Sequence, residues 1–267
     1  MVRVLCPGRG DGGGGEMTSS LMPDSVPPAA CPDPVRRAVM VQQWNEIVFI
    51  HWRYDPHVVQ ALLPRGVDVD VFDGSAWVGL IPFQMEGLGL PARGLHPLPY
   101  VGSFPEVNIR TYVRSGGRRG VYFLSLDIDR WLPAVVARLG YRIPYCVGDV
   151  RHLRVGDRVS SMVNRRWPSS GAGASATLAV RIGDPVPPDE LTQFLTARWG
   201  LVSSGPRGPF GYAPVDHPRW ALNSGEVEHL DETLTSAAGL PRPTGRPHVL
   251  HSTGTSVRIG WPRRIGQ

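Results

Sequence analysis

The chain has 267 residues and a formal net charge of +5, and all 28 of its basic residues are arginine. Without one lysine it can form no lysine Schiff base, anchor no pyridoxal phosphate and build no Walker-type phosphate loop. The arginines stand singly or in short pairs such as Arg118–Arg119, Arg165–Arg166 and Arg263–Arg264; with abundant Ala, Gly, Pro and Val they fit a GC-rich genome, and no basic stripe marks a nucleic-acid partner.

Residues 1–38 hold the Gly12–Gly15 run, repeated Pro, Ser and Asp, and almost no apolar period, the composition of a disordered tail. Neither this segment nor any later one has the apolar core of a secretory signal or the length of a membrane helix, so a soluble cytoplasmic protein with no membrane partner is expected. Cys6 and Cys31 lie in the tail and Cys146 stands alone in the body, which offers no disulfide framework and no thiolate metal cluster.

Residues 39–267 read as one domain. Ile47–Arg53 is a strand, and Asp55-Pro56 supplies a cap and first residue for a short helix ending near Leu63-Pro64. Val69–Phe72 and Ser75–Phe83 flank Asp73-Gly74, a strong hairpin signal. Phe104–Arg114 alternates strictly and pairs with Gly120–Ile128, after which Trp131–Leu139 has helical spacing and stops at Gly140. Ile143–Val150, His152–Val155, Arg158–Trp167 and Ala174–Ile182 are extended, Asp189–Trp199 is helical, Trp220–Leu230 is extended, Asp231–Ala238 is a short helix, and His248–Trp261 returns to strand. Many closely spaced strands with a few short helices predict a mainly β fold, a closed or half-closed antiparallel barrel with peripheral helices.

The strand Phe104–Arg114 carries the chemistry. Alternation puts Phe104, Glu106, Asn108, Arg110 and Tyr112 on one face, and Val107, Ile109, Thr111 and Val113 on the other. The β-branched face suits a packed core. The polar face looks either to water, as in any half-exposed antiparallel sheet, or into a cavity, and its two terminal aromatics favour the cavity. Glu106 and Arg110, about 13 Å apart along the strand, are spaced to bracket a ligand.

The motifs WNEIVFIHWRYDP (Trp44–Pro56), LLP (Leu62–Pro64), DVDVFDGSAWVGLIPF (Asp68–Phe83), FPEVNIRTYV (Phe104–Val113), GVYFLSLD (Gly120–Asp127), IPY (Ile143–Tyr145), LTARWGL (Leu195–Leu201) and HPRW (His217–Trp220) together resemble the YqjF-like, or DUF2071, family of bacterial proteins, which is related in fold to acetoacetate decarboxylase. The resemblance implies a barrel of acetoacetate decarboxylase-like type, with Glu106 as the counterpart of that enzyme's cavity glutamate. It also implies that Tyr145, in Arg142-Ile143-Pro144-Tyr145, takes the place of the Schiff-base lysine. Imine-based decarboxylation by a side chain is thereby excluded.

A carboxylate and a phenol in one cavity can still perform acid/base chemistry on a small oxo acid or carbonyl compound, with Glu106 and Tyr145 as catalytic candidates. Enolisation, dehydration or isomerisation, without cofactor, would suit them. The plainer alternatives are a carboxylate paired with a guanidinium and a core phenol bonded to backbone, and a non-catalytic metabolite-binding barrel needs only the same cavity. Arg53, Arg110 and Arg166 are candidate anion anchors, with Asn108, Tyr112 and His51 as further ligand-binding candidates. His248 and His251, three apart on a strand, face opposite ways, so no metal is expected. The sequence leaves homo-oligomerisation open.

Overall fold

The computed structural model describes residues 26–94, 97–98, 102–131, 142–205 and 208–265. Twelve strands lie within them: β1 (Met40–Tyr54), β2 (Asp68–Val69), β3 (Ala76–Gly89), β4 (Phe104–Ser115), β5 (Arg118–Ile128), β6 (Tyr145–Val155), β7 (Arg158–Trp167), β8 (Ser175–Pro185), β9 (Gly200–Gly205), β10 (Gly208–Asp216), β11 (Asn223–Glu232) and β12 (His248–Ile259). Three short helices, α1 (Pro56–Gln60), α2 (Glu190–Thr196) and α3 (Leu234–Ala237), decorate them.

Nine strands close into a barrel in the order β5-β6-β7-β8-β11-β12-β1-β3-β4, with β4 returning to β5. The pairing is antiparallel except where β6 and β9 each run parallel to β5. Closure leaves the barrel strands without an open edge. Its interior is mostly hydrocarbon, with Val48, Ile50, Val78, Leu80, Val107, Ile109, Val159 and Leu178 all at most 2% exposed, and it also holds a buried Arg165–Asp127 pair at 2.6 Å.

A second, smaller ring shares a wall with the first. β9 and β10 bridge β5 to β12, so that seven strands, β10-β9-β5-β4-β3-β1-β12, also form a circuit. The shared wall therefore has both faces covered, and it was legible only in part: β9 and β10 fall in a Gly- and Pro-rich stretch that reads as loop.

Local chemistry explains the joints. Asp55 accepts the His57 N–H at 2.8 Å and Pro56 opens α1, while Asp189 accepts the Thr192 N–H at 2.7 Å and opens α2. Gly116 and Gly117, at φ 55° and 72°, make the two-residue turn that joins β4 to β5. Asp73 and Gly74 also turn with positive φ, but beyond the Phe72–Ser75 bridge the expected hairpin parts, and β2 pairs with β4 instead of β3.

The expected tail divides in two. Residues 1–25 lie outside the described residues, whereas 26–38, though lacking helix and strand, lie against the barrel. Gln193 donates to the Pro27 carbonyl at 2.7 Å, the Trp199 indole donates to the Pro28 carbonyl at 2.8 Å, and Val35 is buried. The helix expected over Trp131–Leu139 lies, past its first residue, outside the described residues.

Candidate active site

β4 is the shared wall's informative strand. Flanked by β3 and β5, it sends Val107 and Ile109 into the nine-strand interior and Phe104, Glu106, Asn108, Arg110 and Tyr112 to the opposite side. All five of the latter are buried. On that side Ile47, Phe49 and His51 of β1 stand beside them, after a register shift between Asn45 and Ile50 that begins near Glu46, at φ 50°.

Between this face and β9–β10 lies a hollow of about 720 Å³, including its mouth. Its walls are mostly hydrocarbon, with Glu106, Asn108, Arg110 and Tyr145 among the lining groups. The polar face of β4 thus looks into a cavity, as its aromatics suggested, but the cavity belongs to the seven-strand ring rather than to the filled nine-strand barrel.

Glu106 is 2% exposed and its carboxyl is pushed up to about 7, chiefly by burial. Hydrogen bonds from the Tyr145 hydroxyl at 3.0 Å and the Asn108 amide at 3.3 Å pull the other way, as does the more distant Arg110, while Asp127 adds repulsion. Tyr145 opens β6 opposite Leu126, in register with Asn108 two strands away, and this brings the phenol to the carboxylate. Burial first, and the Glu106 charge second, hold the phenol well above its ordinary value, so it is a hydrogen-bond donor at every physiological pH.

Arg110 is 7% exposed and forms no ion pair among the described residues. Its guanidinium donates to the Tyr112 hydroxyl at 3.3 Å and lies against Phe49 and Tyr112, while Nε has no partner among the described residues. Tyr112 is also bonded to His51 Nε2 at 2.6 Å. His51 is fully buried, and burial together with the charge of Arg110 holds it well below its ordinary value, hence neutral. Tyr112 and His51 therefore orient Arg110 from behind; neither lines the hollow.

Two expected anchors stand elsewhere. Arg53 emerges at the end of β1 with its side chain 52% exposed, paired with Asp73 at 3.0 Å and stacked on Trp77. Arg166 is 68% exposed and paired with Asp149. Both are surface ion pairs, because β1 and β7 carry these residues beyond the covered wall. His251 bonds Glu46 at 3.0 Å, remote from the hollow, and His248 is the register partner of His51. Among the described residues, no three His, Cys, Asp or Glu side chains gather as a metal site.

Arg198 was not foreseen. It follows α2, is 5% exposed, and lines a second lobe of about 520 Å³ that shares Arg110, Trp44, Phe123, Leu201 and Ile259 with the first. An arginine after a helix reads as surface by default; the signal available was its place inside the LTARWGL motif.

Comparison with known proteins agrees with this architecture. The chain is 32% identical over 226 residues to "Uncharacterized protein YqjF" of Bacillus subtilis (strain 168), covering 85% of this chain and 92% of that protein. Among solved structures it is similar to the enduracididine biosynthesis enzyme MppR complexed with the condensation product of pyruvate and imidazole 4-carboxaldehyde (TM-score 0.60, 15% identity, 86% of this chain and 90% of that one). It is likewise similar to acetoacetate decarboxylase from Legionella pneumophila (TM-score 0.59, 16% identity, 87% and 91%). At such identities these two establish a shared fold, acetoacetate decarboxylase-like, and nothing finer. With the family match running over residues 41–256, the chain belongs to DUF2071, a family described as uncharacterized conserved protein.

Proposed function

We propose that the protein is a cofactor-independent acid/base catalyst, a lyase or isomerase, acting on a small anionic oxo acid or related carbonyl compound. The observation that carries this reading is a buried carboxyl with a pKa of about 7, hydrogen-bonded to a phenol, in a hollow whose guanidinium has no carboxylate partner. Perturbed groups converging in a cavity mark chemistry more than packing.

Each group has a role that follows from its surroundings. Arg110 receives the substrate carboxylate, since a buried guanidinium without a counter-ion favours an anion that completes its hydrogen bonds. Glu106 takes the proton from the carbon beside the carbonyl; the C–H electron pair becomes the C=C bond and the carbonyl pair moves to oxygen. Tyr145 then turns its hydrogen bond from Glu106 to that oxygen. Losing this donor makes the carboxylate a stronger base as the enolate forms. Asn108, whose Oδ1 has no partner among the described residues, steadies the carboxyl. Return of the proton to the same carbon gives exchange and to another carbon isomerisation; where the neighbouring carbon bears a hydroxyl, the enolate re-forms the carbonyl, the C=C pair shifts to that carbon, the C–O bond breaks, and the hydroxyl leaves as water with the proton held by Glu106.

The small-molecule ligands named for MppR support a small-molecule substrate, and no described helix is long and apolar enough to cross a membrane. We assign the cytoplasm as its compartment, where the thiols Cys31 and Cys146, in no disulfide, stay reduced. The test is deuterium incorporation beside the carbonyl of 2-oxobutyrate in D2O, followed by NMR. Wild type should exchange well above buffer, and Glu106→Gln should lose that rate yet still bind. Binding without exchange in the wild type would make the protein a carrier and defeat the catalytic reading.

A further inference from the structure

The second lobe has walls unlike the first. It is lined by two guanidiniums, Arg110 and Arg198, and by no carboxylate among the described residues. His217 also lines it, but burial lowers its basicity and favours the neutral ring. Arg198 is fixed on three sides: Nε donates to the Phe194 carbonyl at 2.6 Å, Nη1 donates to Asp70 at 2.6 Å, and the plane lies over Phe194 and Tyr112. Its Nη2 is buried and has no partner among the described residues. Asp70 does not neutralise it fully, because the same carboxylate also meets Arg114 at 2.6 Å and Arg119 at 3.6 Å.

A buried guanidinium N–H without a partner is costly, and a second carboxylate would satisfy it through a charge-assisted bond. Arg110 and Arg198 flank Tyr112, their central carbons 5.6 and 4.5 Å from its ring centroid, and so lie within about 10 Å of each other. A gap within that bound can be spanned by two carboxylates joined by a few carbons, and Arg110, which lines both lobes, would turn the carbonyl end toward the first.

We propose that the second lobe is an anion subsite in which Arg198 selects substrates bearing a second carboxylate, so that the substrate class is an oxo-diacid. This rests on the reading of the hollow as an oxo-acid site, and it makes Arg198 a specificity-determining residue with no part in the proton transfer.

The test compares 2-oxoglutarate with 2-oxovalerate, acids of equal chain length that differ by the distal carboxylate, by titration calorimetry on the full chain. Wild type should bind the diacid about tenfold or more tightly. Arg198→Met should erase that preference while leaving 2-oxovalerate affinity near the wild-type value, and Arg198→Lys, which keeps the charge but not the planar fork, should retain part of it. Equal wild-type affinity for the two acids overturns the proposal whether or not either variant folds, as does a preference that survives Arg198→Met. Because calorimetry needs no turnover, a diacid that binds without proton exchange leaves the subsite standing and removes only the catalytic reading; equal binding of both acids with exchange does the reverse.

Discussion

The two sides of β4 differ by one residue of register and by almost everything else. Toward the nine-strand barrel, Val107 and Ile109 meet close-packed hydrocarbon; toward the seven-strand ring, Glu106, Asn108 and Arg110 meet a hollow. Both sides are buried, so burial alone does not tell them apart. The difference lies in what the burial costs: the hydrocarbon side stabilises the fold as it is covered, whereas the polar side raises the energy of a carboxylate until it holds its proton to about pH 7. The first side is built for stability and the second for chemistry.

The sharpest way to test that division is to change the two sides separately. Glu106→Gln, which keeps shape and removes the base, should slow proton exchange by roughly 10²- to 10⁴-fold with ligand affinity little changed. Ile109→Ala on the opposite face should cost about 2–5 kcal/mol in urea unfolding and leave exchange by the folded protein almost untouched. Equal losses of stability from Ile109→Ala and Asn108→Ala would erase the distinction.

A pH-dependent gain follows from the same carboxyl. Its folded pKa of about 7 exceeds the ordinary 4.5, so as pH rises between these values the unfolded chain gives up the proton first and the native state loses stability. That loss is on the order of 3 kcal/mol and is complete above pH 7. Glu106→Gln removes it, and chemical denaturation should therefore find the variant the more stable protein at pH 8, with the gain gone at pH 4. In the wild type, exchange catalysed by the carboxylate should rise with pH through about 7.

Smaller effects sharpen the assignment within the polar side. Arg110→Met should raise KM for a monocarboxylic oxo acid by about tenfold to a hundredfold, with a lesser effect on kcat. Tyr145→Phe should cost about tenfold in kcat and move the ascending limb of the pH profile upward, because the carboxylate loses a donor that lowers its pKa. Arg53→Ala and Arg166→Ala, each breaking an exposed ion pair, should change stability by less than about 1 kcal/mol and leave turnover alone.

How much of this was legible beforehand depended on periodicity. β4 and β5 could be read because strict alternation and the two glycines between them leave little choice of register. The first seven residues of β1 could not: Gln42, Gln43, Asn45 and Glu46 interrupt the apolar pattern, and the shift near Glu46 changes which residues face inward. β9 and β10 were hidden by Gly200, Gly205, Gly208, Pro209, Gly211 and Pro214, residues that read as loop, yet Leu201 of β9 and Ala213 of β10 line the hollow. The convergence of Glu106 with Tyr145 came from the family resemblance, since no periodicity links residues 39 positions apart. Arg198 lies in the LTARWGL motif, but the motif alone does not distinguish a cavity arginine from a solvated one, and the same ambiguity misdirected Arg53 and Arg166.

The account stands most directly on the titration of one carboxyl. Carbon-13 NMR of glutamate side-chain carboxyls, with the Glu106 resonance identified by its absence from Glu106→Gln, should give a midpoint near 7. A midpoint near the ordinary 4.5 would mean that water reaches the group freely and that the polar side of β4 is no reaction chamber.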